Sequence, residues 1–596
     1  MVNKLAAIGL LFGLASIASS KVVGVNYAIE QKLSASHLSP QATNDIANIS
    51  QRTTISTGRE HHEDVLAAQS STADYDPRKL YPPHYLSIPI DHFHNESKYA
   101  PHTHDTFPLR YWFDAQFYTP GGPVIVLQGG ETSGVGRLKF LQKGIVYLLA
   151  RATGGIGVIL EHRYYGTSMP LGDKAMTTEG LRFLTFDQAM ADQAYFARHV
   201  VFEGLEAVDL TAPGTPWIAY GGSYAGGFSA IIRKIYPHVF WGGVSSSGVV
   251  EAIWDYWAYF EPIRVFGEPK CIATVQKITN MADNIVIGLK DTKTTADLKT
   301  VFGMANVTHD SDFMAIISEG IIGWQNQNWD PALNDLSVER FCGNVTSQEI
   351  IYEDTAALNE TVYELLKKGG YESEALPLAV PLLNWIGWLH HHTVKHCKVT
   401  QDQCFSQHNS TFYRQDDIKQ TWRAWPYQFC TEWGYLATGS GVPEHILPLI
   451  SRTSTMEHNS IVCVEAFNIT SPPYIENINK HGGFNIAYPR LAMIDGDRDP
   501  WRPATAHASP FNETAINRTS TTSEPFILIE NAIHHFDENG LFANQTVQGK
   551  DILPPQPVRD AQAQIVSFVK EWMVEWETEK ARSGMVTQTP EFYPEL

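Results

Sequence analysis

The sequence predicts an α/β fold in which a largely parallel β-sheet is covered by helices on both faces. Short uninterrupted apolar runs recur along the chain and end in glycine or polar residues, as strands buried on both faces do. Segments with the apolar periodicity of helices lie between these runs. The alternation stops over a long stretch rich in tryptophan and cysteine and then resumes, which indicates an insertion into one α/β domain.

The sheet is predicted from six buried apolar runs and two earlier segments. The six runs are residues 123–127, 155–160, 217–220, 241–244, 490–494 and 525–529. Residues 86–93 and 107–113 have the composition of leading strands. Residues 186–194 and about 558–582 are expected to form amphipathic helices, and the second of these is predicted to pack against the sheet.

Composition excludes several classes of protein. The chain has 596 residues, 43% of them apolar, and a net charge of -20, so no basic surface is expected for nucleic acid. Lys4, the apolar residues 5–17 and the small residues 18–20 have the order of a secretory signal peptide, and the apolar run is too short to span a bilayer. We therefore expect a secreted protein without stable membrane insertion, with a vacuolar or lysosome-like compartment as the alternative and a homodimer left open.

These patterns divide the chain into six parts. We expect a signal peptide at 1–20, a polar extension or propeptide at 21–76, a first part of the α/β domain at 77–251, an inserted helical cap domain at 252–483, a second part of the α/β domain at 484–582, and a tail at 583–596.

In a secreted protein the six cysteines favour disulfides over metal ligands. We expect Cys271 to pair with Cys342, Cys397 with Cys404 and Cys430 with Cys463, although the sequence allows other pairings. Glycosylation is predicted at the Asn-x-Ser/Thr sites Asn48, Asn95, Asn306, Asn344, Asn359, Asn409, Asn468, Asn512, Asn517 and Asn544.

Ser223 is the candidate nucleophile. It follows an apolar strand and two glycines and precedes a helix, a strand-turn-helix pattern that lifts a serine hydroxyl clear of the sheet. The backbone amide of Tyr224 would point toward an oxyanion formed in front of Ser223. Ala225 stands where the usual Gly-x-Ser-x-Gly pattern has its last glycine, and a glycine-rich turn without chemistry is the alternative.

Two further strand ends supply partners for Ser223. Asp499 and His534 follow predicted strands, and active groups in parallel sheets gather at carboxyl ends. The order Ser, Asp, His is that of α/β-hydrolases, so an α/β-hydrolase fold with an inserted, disulfide-bonded helical cap is predicted. His535 is the alternative base. Gly130, at another strand end, is the candidate second oxyanion donor.

No metal or cofactor is expected. Asp495, Asp497 and Asp499 resemble the start of a calcium loop, but Pro500 and Ala506 stand where that loop needs glycine and glutamate. The histidines at 390–392 and 396 have the spacing of a helical metal pair without the glutamate of a zinc protease, so a packed or solvated helix is favoured.

The chain resembles the serine peptidase family that contains lysosomal prolyl carboxypeptidase and dipeptidyl peptidase II, particularly its secreted fungal members, over roughly residues 86–576. The resemblance lies in Gly-Gly-Glu at 129–131, Glu-His-Arg-Tyr-Tyr-Gly at 161–166, Gly-Gly-Ser-Tyr-Ala-Gly at 221–226, Tyr-Gln-Phe-Cys-Thr-Glu at 427–432, Asp-Pro-Trp at 499–501 and His-His-Phe-Asp at 534–537.

This resemblance implies cleavage on the carboxyl side of proline, with Ser223, Asp499 and His534 as the triad. It also implies that Trp501 walls the proline pocket and that Glu131 binds a free substrate amine if dipeptides are released. Two departures concern specificity: Gly227 stands where some relatives have a larger apolar residue, and Asp495-Gly496 replaces Asn-Gly.

Three functions compete. The favoured one is a secreted serine exopeptidase acting on peptides or proteins that contain proline. A prolyl endopeptidase would need an open cleft instead of a closed pocket. An inactive hydrolase fold serving as a binding glycoprotein is the third, and a lipase or esterase is disfavoured by the family motifs.

Overall fold

The fold is built on one sheet of eight strands in the order β1-β2-β4-β3-β5-β6-β9-β10. The computed structural model describes residues 76–582 except 543–544, 546 and 549–550. The described strands are β1 (His84–Pro89), β2 (Thr106–Asp114), β3 (Val124–Gln128), β4 (Ile156–Leu160), β5 (Trp217–Gly222), β6 (Gly242–Ser246), β7 (Ile253–Asp255), β8 (Gly434–Leu436), β9 (Leu491–Gly496), β10 (Phe526–Ile529), β11 (Val547–Gln548) and β12 (Asp551–Ile552). From β4 to β10 all pairings in the main sheet are parallel, whereas β1 and β2 pair antiparallel at one edge.

Helices cover the sheet and fill the region between β6 and β9. The described α-helices are α1 (Pro77–Leu80), α2 (Ile145–Thr153), α3 (Phe186–His199), α4 (Tyr224–Ile235), α5 (Glu261–Phe266), α6 (Pro269–Asp283), α7 (Thr292–Val301), α8 (Asp310–Ile317), α9 (Ser337–Thr346), α10 (Asn359–Leu366), α11 (Ala375–His392), α12 (Gln401–Phe405), α13 (Ser410–Tyr413), α14 (Ala424–Gln428), α15 (Met456–Asn459), α16 (Ile461–Phe467), α17 (Glu476–Asn479) and α18 (Gln556–Arg582). Within the described part of the chain, no helix has the length and apolar character needed to cross a membrane.

This topology confirms the predicted α/β-hydrolase fold with inserted helices. The central strands β3, β4, β5 and β6 are buried throughout except at the end of β5, because both faces of the sheet are covered. Between β6 and β9 no strand joins this sheet, since β7 pairs only with β8. The exact limits of the cap as a domain stay a prediction.

The first predicted strand ends earlier than expected. β1 stops at Pro89, and Asp91 then accepts a hydrogen bond from the amide of Phe93 (2.9 Å). This local turn removes residues 91–93 from the sheet, because the aspartate side chain replaces a strand partner for the backbone. The last helix begins at Gln556, and Trp572 is buried on its inner face.

All three disulfides of the described chain lie between β6 and β9. They join Cys271 to Cys342, Cys397 to Cys404 and Cys430 to Cys463, which matches the expected pairing. The signal peptide, almost all of the extension 21–76, the tail 583–596, Asn48 and Asn544 lie outside the described residues. Glycosylation at the other predicted asparagines stays a prediction.

Candidate active site

Ser223 occupies the sharp turn between β5 and α4. Its backbone has φ 61° and ψ -126°, a conformation that non-glycine residues adopt only where the surroundings enforce it. The amide of Ser223 donates to the carbonyl of Ser246 (2.9 Å), and the carbonyl of Ser223 accepts from the amides of Gly226 (2.9 Å) and Gly227 (3.1 Å). The turn is therefore fixed by the neighbouring strand on one side and by the first turn of the helix on the other.

Glycines allow this turn to pack closely against the sheet. A Cβ atom on Gly221 would lie 2.0 Å from the carbonyl oxygen of Ala225, so the strand and helix cross too closely for a side chain there. Ala225 itself is accommodated and buried. At Gly227 a Cβ would lie 2.0 Å from the carbonyl oxygen of Val249. A larger residue at 227 is thus excluded by the backbone of Val249, and it is Val249 that lines the cavity beside Ser223.

Asp499 and His534 are joined at the ends of β9 and β10. His534 Nδ1 lies 2.8 Å from Asp499 Oδ2, and the Asp499 carboxylate is fully buried. The amide of Trp501 donates to the other oxygen, Oδ1 (2.9 Å). With both oxygens engaged, Asp499 can hold the imidazole of His534 in one orientation and stabilise its protonated form.

His535 is held by different partners. Its Nδ1 lies 3.1 Å from Glu538 Oε2, and its backbone amide donates to Ser247 Oγ (2.9 Å). Burial, reinforced by the neighbouring His534, lowers the pKa of His535. A hydrogen bond between His535 and Asp499 is not among those of the described residues, so the geometry favours His534 as the base.

No hydrogen bond joins the side chains of Ser223 and His534 in the described part of the chain. Both residues lie close to Trp501. This tryptophan lines the same cavity as Ser223, and its ring centroid lies 6.5 Å from that of His534. Catalytic hydrogen bonds of this kind often form only when substrate is bound. Ser223 and Trp501 line one cavity, and the hydrogen-bonded His534–Asp499 pair lies next to Trp501.

The two predicted oxyanion donors differ in whether their backbone amides already donate a hydrogen bond. Tyr224 is the first residue of α4, where a helix amide has no intrahelical partner. The amide of Gly130, in contrast, donates to Gln128 Oε1 (2.8 Å). In this conformation the Gly130 amide is not available to an oxyanion, because it already donates to the side chain of Gln128 at the end of β3.

The Tyr224 side chain is anchored behind the turn. His162 Nδ1 lies 2.7 Å from the carbonyl oxygen of Arg163, so this nitrogen carries the proton and donates it. His162 Nε2 is then the acceptor for the Tyr224 hydroxyl at 2.9 Å. Burial lowers the pKa of His162 to about 4, which keeps the ring neutral. The motif residue His162 therefore fixes the residue next to Ser223.

A narrow cavity lies in front of Ser223. It is lined by Glu131, Ser223, Tyr224, Val249, Gln325, Trp425, Tyr435 and Trp501. The sequence predicted Glu131, Ser223, Tyr224 and Trp501 in this place. It missed Val249, Gln325, Trp425 and Tyr435. The last three lie in the inserted region, where apolar periodicity does not tell which side chains face the sheet.

Several contacts hold the side chain of Trp501 in the cavity wall. Its ring stacks on Tyr256 with centroids 5.4 Å apart and meets Tyr435 edge-on at 5.2 Å. Its indole N–H donates to Gln325 Oε1 (2.8 Å). A flat aromatic wall fixed in this way suits a small planar apolar group such as a proline ring.

Two of the three carboxylates of the calcium-like segment serve other partners. Asp495 Oδ2 lies 2.6 Å from His507 Nδ1, and Asp499 is bound to His534. In the described chain, two groups of side chains are close enough to hold a metal ion, namely Asp91 with His94 and His102, and Asp354 with His390 and His391. None of these six residues belongs to the predicted active site.

Comparison with known proteins identifies the family. A family model described as serine carboxypeptidase S28 matches residues 89–548. The chain belongs to the S28 family of serine peptidases. This confirms the resemblance drawn from the sequence motifs and makes the protein a serine-type peptidase.

Relatives of this S28 peptidase occur in fungi and animals. A "Probable extracellular serine carboxypeptidase" of Arthroderma benhamiae is 48% identical, over 86% of this chain and 70% of that protein. "Serine protease vicPb" of Bipolaris victoriae is 25% identical, over 83% of this chain and 89% of its own length. The "Thymus-specific serine protease" of Mus musculus is 25% identical, over 76% of this chain and 82% of its own.

In this S28 peptidase the glutamate of the Glu-His-Arg-Tyr-Tyr-Gly motif organises the loops behind the site. Buried Glu161 accepts hydrogen bonds from the guanidinium of Arg110 (3.1 and 2.7 Å) and from the amides of Gly134 (2.9 Å) and Thr167 (3.1 Å). The hydroxyl of Ser168 adds another at 2.8 Å. Because every partner is a donor, Glu161 acts as an anionic hub for the loop that follows Glu131.

Proposed function

We propose that this S28 peptidase hydrolyses peptide bonds on the carboxyl side of proline, with Ser223, His534 and Asp499 as its triad. The observation that carries the proposal is the aromatic cavity in which Ser223 faces the fixed wall of Trp501, with the hydrogen-bonded His534–Asp499 pair beside it. A proline ring placed against Trp501 would bring its carbonyl carbon to Ser223.

The reaction follows from the roles of these groups. His534 Nε2 takes the proton of Ser223 Oγ as this oxygen attacks the carbonyl carbon. The negative charge of the tetrahedral intermediate develops beside the amide of Tyr224, and Asp499 stabilises the protonated imidazole. The imidazole then protonates the leaving nitrogen, which departs and leaves an acyl-enzyme. Water, deprotonated by His534, attacks this ester and releases the prolyl product.

The lining of the cavity favours an exopeptidase. Glu131, whose side chain lines this space and is almost completely buried, would attract the free amino group of a substrate. This favours the release of N-terminal dipeptides, whereas the names of the family and of the fungal relative favour a carboxypeptidase.

We also propose that the protein acts outside the cell. The fungal relative at 48% identity is named as extracellular. The N-terminal segment of this chain has the order of a signal peptide, and three disulfides are present. Glycosylation at the exposed Asn95, Asn306 and Asn359 would agree with that location.

One peptide can test the proposed function. It carries proline second from the N-terminus, in the middle and next to the C-terminus, and is incubated with wild type and Ser223→Ala at acidic and neutral pH. Mass spectrometry distinguishes loss of an N-terminal dipeptide, loss of the C-terminal residue and an internal cut. Cleavage that persists in Ser223→Ala would exclude Ser223 as the nucleophile, and cleavage only at other residues would exclude proline specificity.

A further inference from the structure

The orientation of the Gln325 side-chain amide is fixed by its neighbours. The indole N–H of Trp501, which lies 2.8 Å from Gln325 Oε1, can only donate a hydrogen bond. The atom facing it must therefore be the amide oxygen. The Tyr259 hydroxyl donates to the same oxygen at 3.0 Å, so both of its lone pairs are used. The NH2 group of Gln325 consequently points away from Trp501 and Tyr259.

The NH2 group of Gln325 has no hydrogen-bond partner among the described residues, and the side chain lines the cavity in front of Ser223. Most other polar groups of the cavity wall already have hydrogen-bond partners. The Tyr224 hydroxyl is bound to His162, and the Tyr435 hydroxyl donates to the carbonyl of Glu251 (2.7 Å). Gln325 thus offers its N–H donors to whatever fills the cavity.

The chemistry of a prolyl substrate limits what this donor can bind. The proline nitrogen carries no hydrogen and cannot accept, and the scissile carbonyl oxygen is directed to the amide of Tyr224. The next acceptor along the substrate is the carbonyl oxygen of the residue before proline. A substrate carboxylate is a poorer occupant, because Glu131 lines the same cavity and would repel it.

We propose that Gln325 is a specificity-determining residue whose Nε2 donates to the carbonyl oxygen of the residue that precedes proline. The inference rests on the proposed prolyl peptidase function. The substrate class is then an acylated proline, so a peptide that begins with proline itself would be excluded because it lacks this carbonyl. The aromatic wall would select the ring, and Gln325 would select the acyl group attached to it.

The sharpest variant is Gln325→Glu. A carboxylate at this position still accepts hydrogen bonds from Trp501 and Tyr259, so the side chains of the cavity wall keep their positions. It cannot donate a hydrogen bond to the substrate. Trp425→Phe is the matched control, since the indole N–H of Trp425 is another cavity donor without a hydrogen-bond partner in the described chain. Both variants are checked for folding by thermal unfolding and by the rate at which an organophosphorus probe labels Ser223.

The test compares two substrates, glycyl-prolyl-phenylalanine and its analogue with a thioamide at the glycyl carbonyl, which differ only in replacing the acyl oxygen before proline by sulfur, a weaker acceptor. We expect wild type to prefer the oxygen substrate in kcat/KM. Gln325→Glu should lose about tenfold or more on that substrate, as for one hydrogen bond left unmade, and should bring the two substrates to nearly equal rates. Trp425→Phe should keep the wild-type preference.

Other outcomes separate the inference from the function on which it rests. If wild type cleaves the prolyl bond and Gln325→Glu keeps the wild-type preference, the inference is overturned while the prolyl function stands. Loss of the preference in Trp425→Phe alone would assign the contact to Trp425. If wild type labels with the probe and cleaves neither substrate nor longer prolyl peptides, the proposed function fails, and the inference fails with it.

Discussion

His534 and Asp499 are joined by a hydrogen bond of 2.8 Å although they are 35 residues apart in the chain. The two residues meet because β9 and β10 are parallel neighbours whose carboxyl ends lie at the same edge of the sheet. The adjacent His535 turns to Glu538 instead. Neighbouring histidines thus have different carboxylate partners, which provides a direct test of their roles.

Replacing the two histidines separately should give very different enzymes. We expect His534→Gln to lower kcat roughly a thousandfold or more, since the base that activates Ser223 is removed. His535→Gln should retain most of the activity, because no hydrogen bond joins His535 to Asp499 among the described residues. Steady-state kinetics on a prolyl peptide measures both. Comparable losses in the two variants, at equal thermal stability, would contradict the assignment of His534 as the base.

Glu131→Gln tests the binding of a substrate amine. The variant removes the negative charge in the cavity while keeping the size of the side chain. If dipeptides are released from N-termini, KM for a peptide with a free amino group should rise about tenfold or more, whereas an N-acetylated peptide should be little affected. The ratio of kcat/KM for the two peptides is the measurement. An unchanged ratio would argue for the carboxypeptidase alternative.

The contribution of Glu432 to the stability of the protein should fall as pH rises through the weakly acidic range. Burial, reinforced by nearby Asp187, raises the pKa of Glu432 to about 7. Folding therefore favours the protonated carboxyl group. Its stabilising contribution is fully present below the unfolded-state pKa of about 4.3 and is lost progressively as pH rises to about 7.

Glu432→Gln keeps a neutral side chain at every pH and can still accept from the amide of Phe186, which lies 2.9 Å from Glu432 Oε2. We expect the melting temperature of this variant to fall less than that of wild type between pH 5 and pH 7.5. Thermal unfolding followed by circular dichroism measures this difference. Parallel pH profiles for the two proteins would show that Glu432 does not titrate as proposed.

The disulfides should differ in their contribution to stability. Cys271–Cys342 spans 71 residues, whereas Cys397–Cys404 spans only 7. The entropy that a cross-link removes from the unfolded chain grows with loop length. Removing the disulfide that closes the longer loop should therefore lower the free energy of unfolding by about 2 kcal/mol more than removing the other. Denaturant unfolding of the two double Cys→Ala variants measures this. Equal midpoints and slopes would indicate that residual structure in the unfolded chain outweighs loop length.

The local features of the active site were predictable from the sequence. An apolar run, two glycines, Ser223 and a helix specify a strand-turn-helix from neighbouring residues alone, and the structure has β5, the turn and α4 there. The strand ends that carry Asp499 and His534 were predictable for the same reason. Most strand boundaries shifted by one or two residues, but β1 ends four residues earlier than predicted, because the side chain of Asp91 accepts a backbone hydrogen bond that periodicity does not indicate.

The state of Gly130 could not be predicted in this way. The sequence correctly places it after a buried strand, but whether its amide is available depends on the rotamer of Gln128. The choice between His534 and His535 is similar. It depends on how the loop after β10 meets Asp499 and Glu538, and either register of that loop is compatible with the sequence of two adjacent histidines.

The sequence by itself determined the α/β architecture, the nucleophile turn, the cysteine set and the family, because these depend on spacings within short segments. The tertiary structure decided which side chains close the cavity. Gln325 reaches Trp501 across 176 residues of chain, and this contact exists only because the inserted helices fold back over the carboxyl edge of the sheet. No local sequence pattern predicts such a contact, since packing between distant segments depends on the shapes of both surfaces.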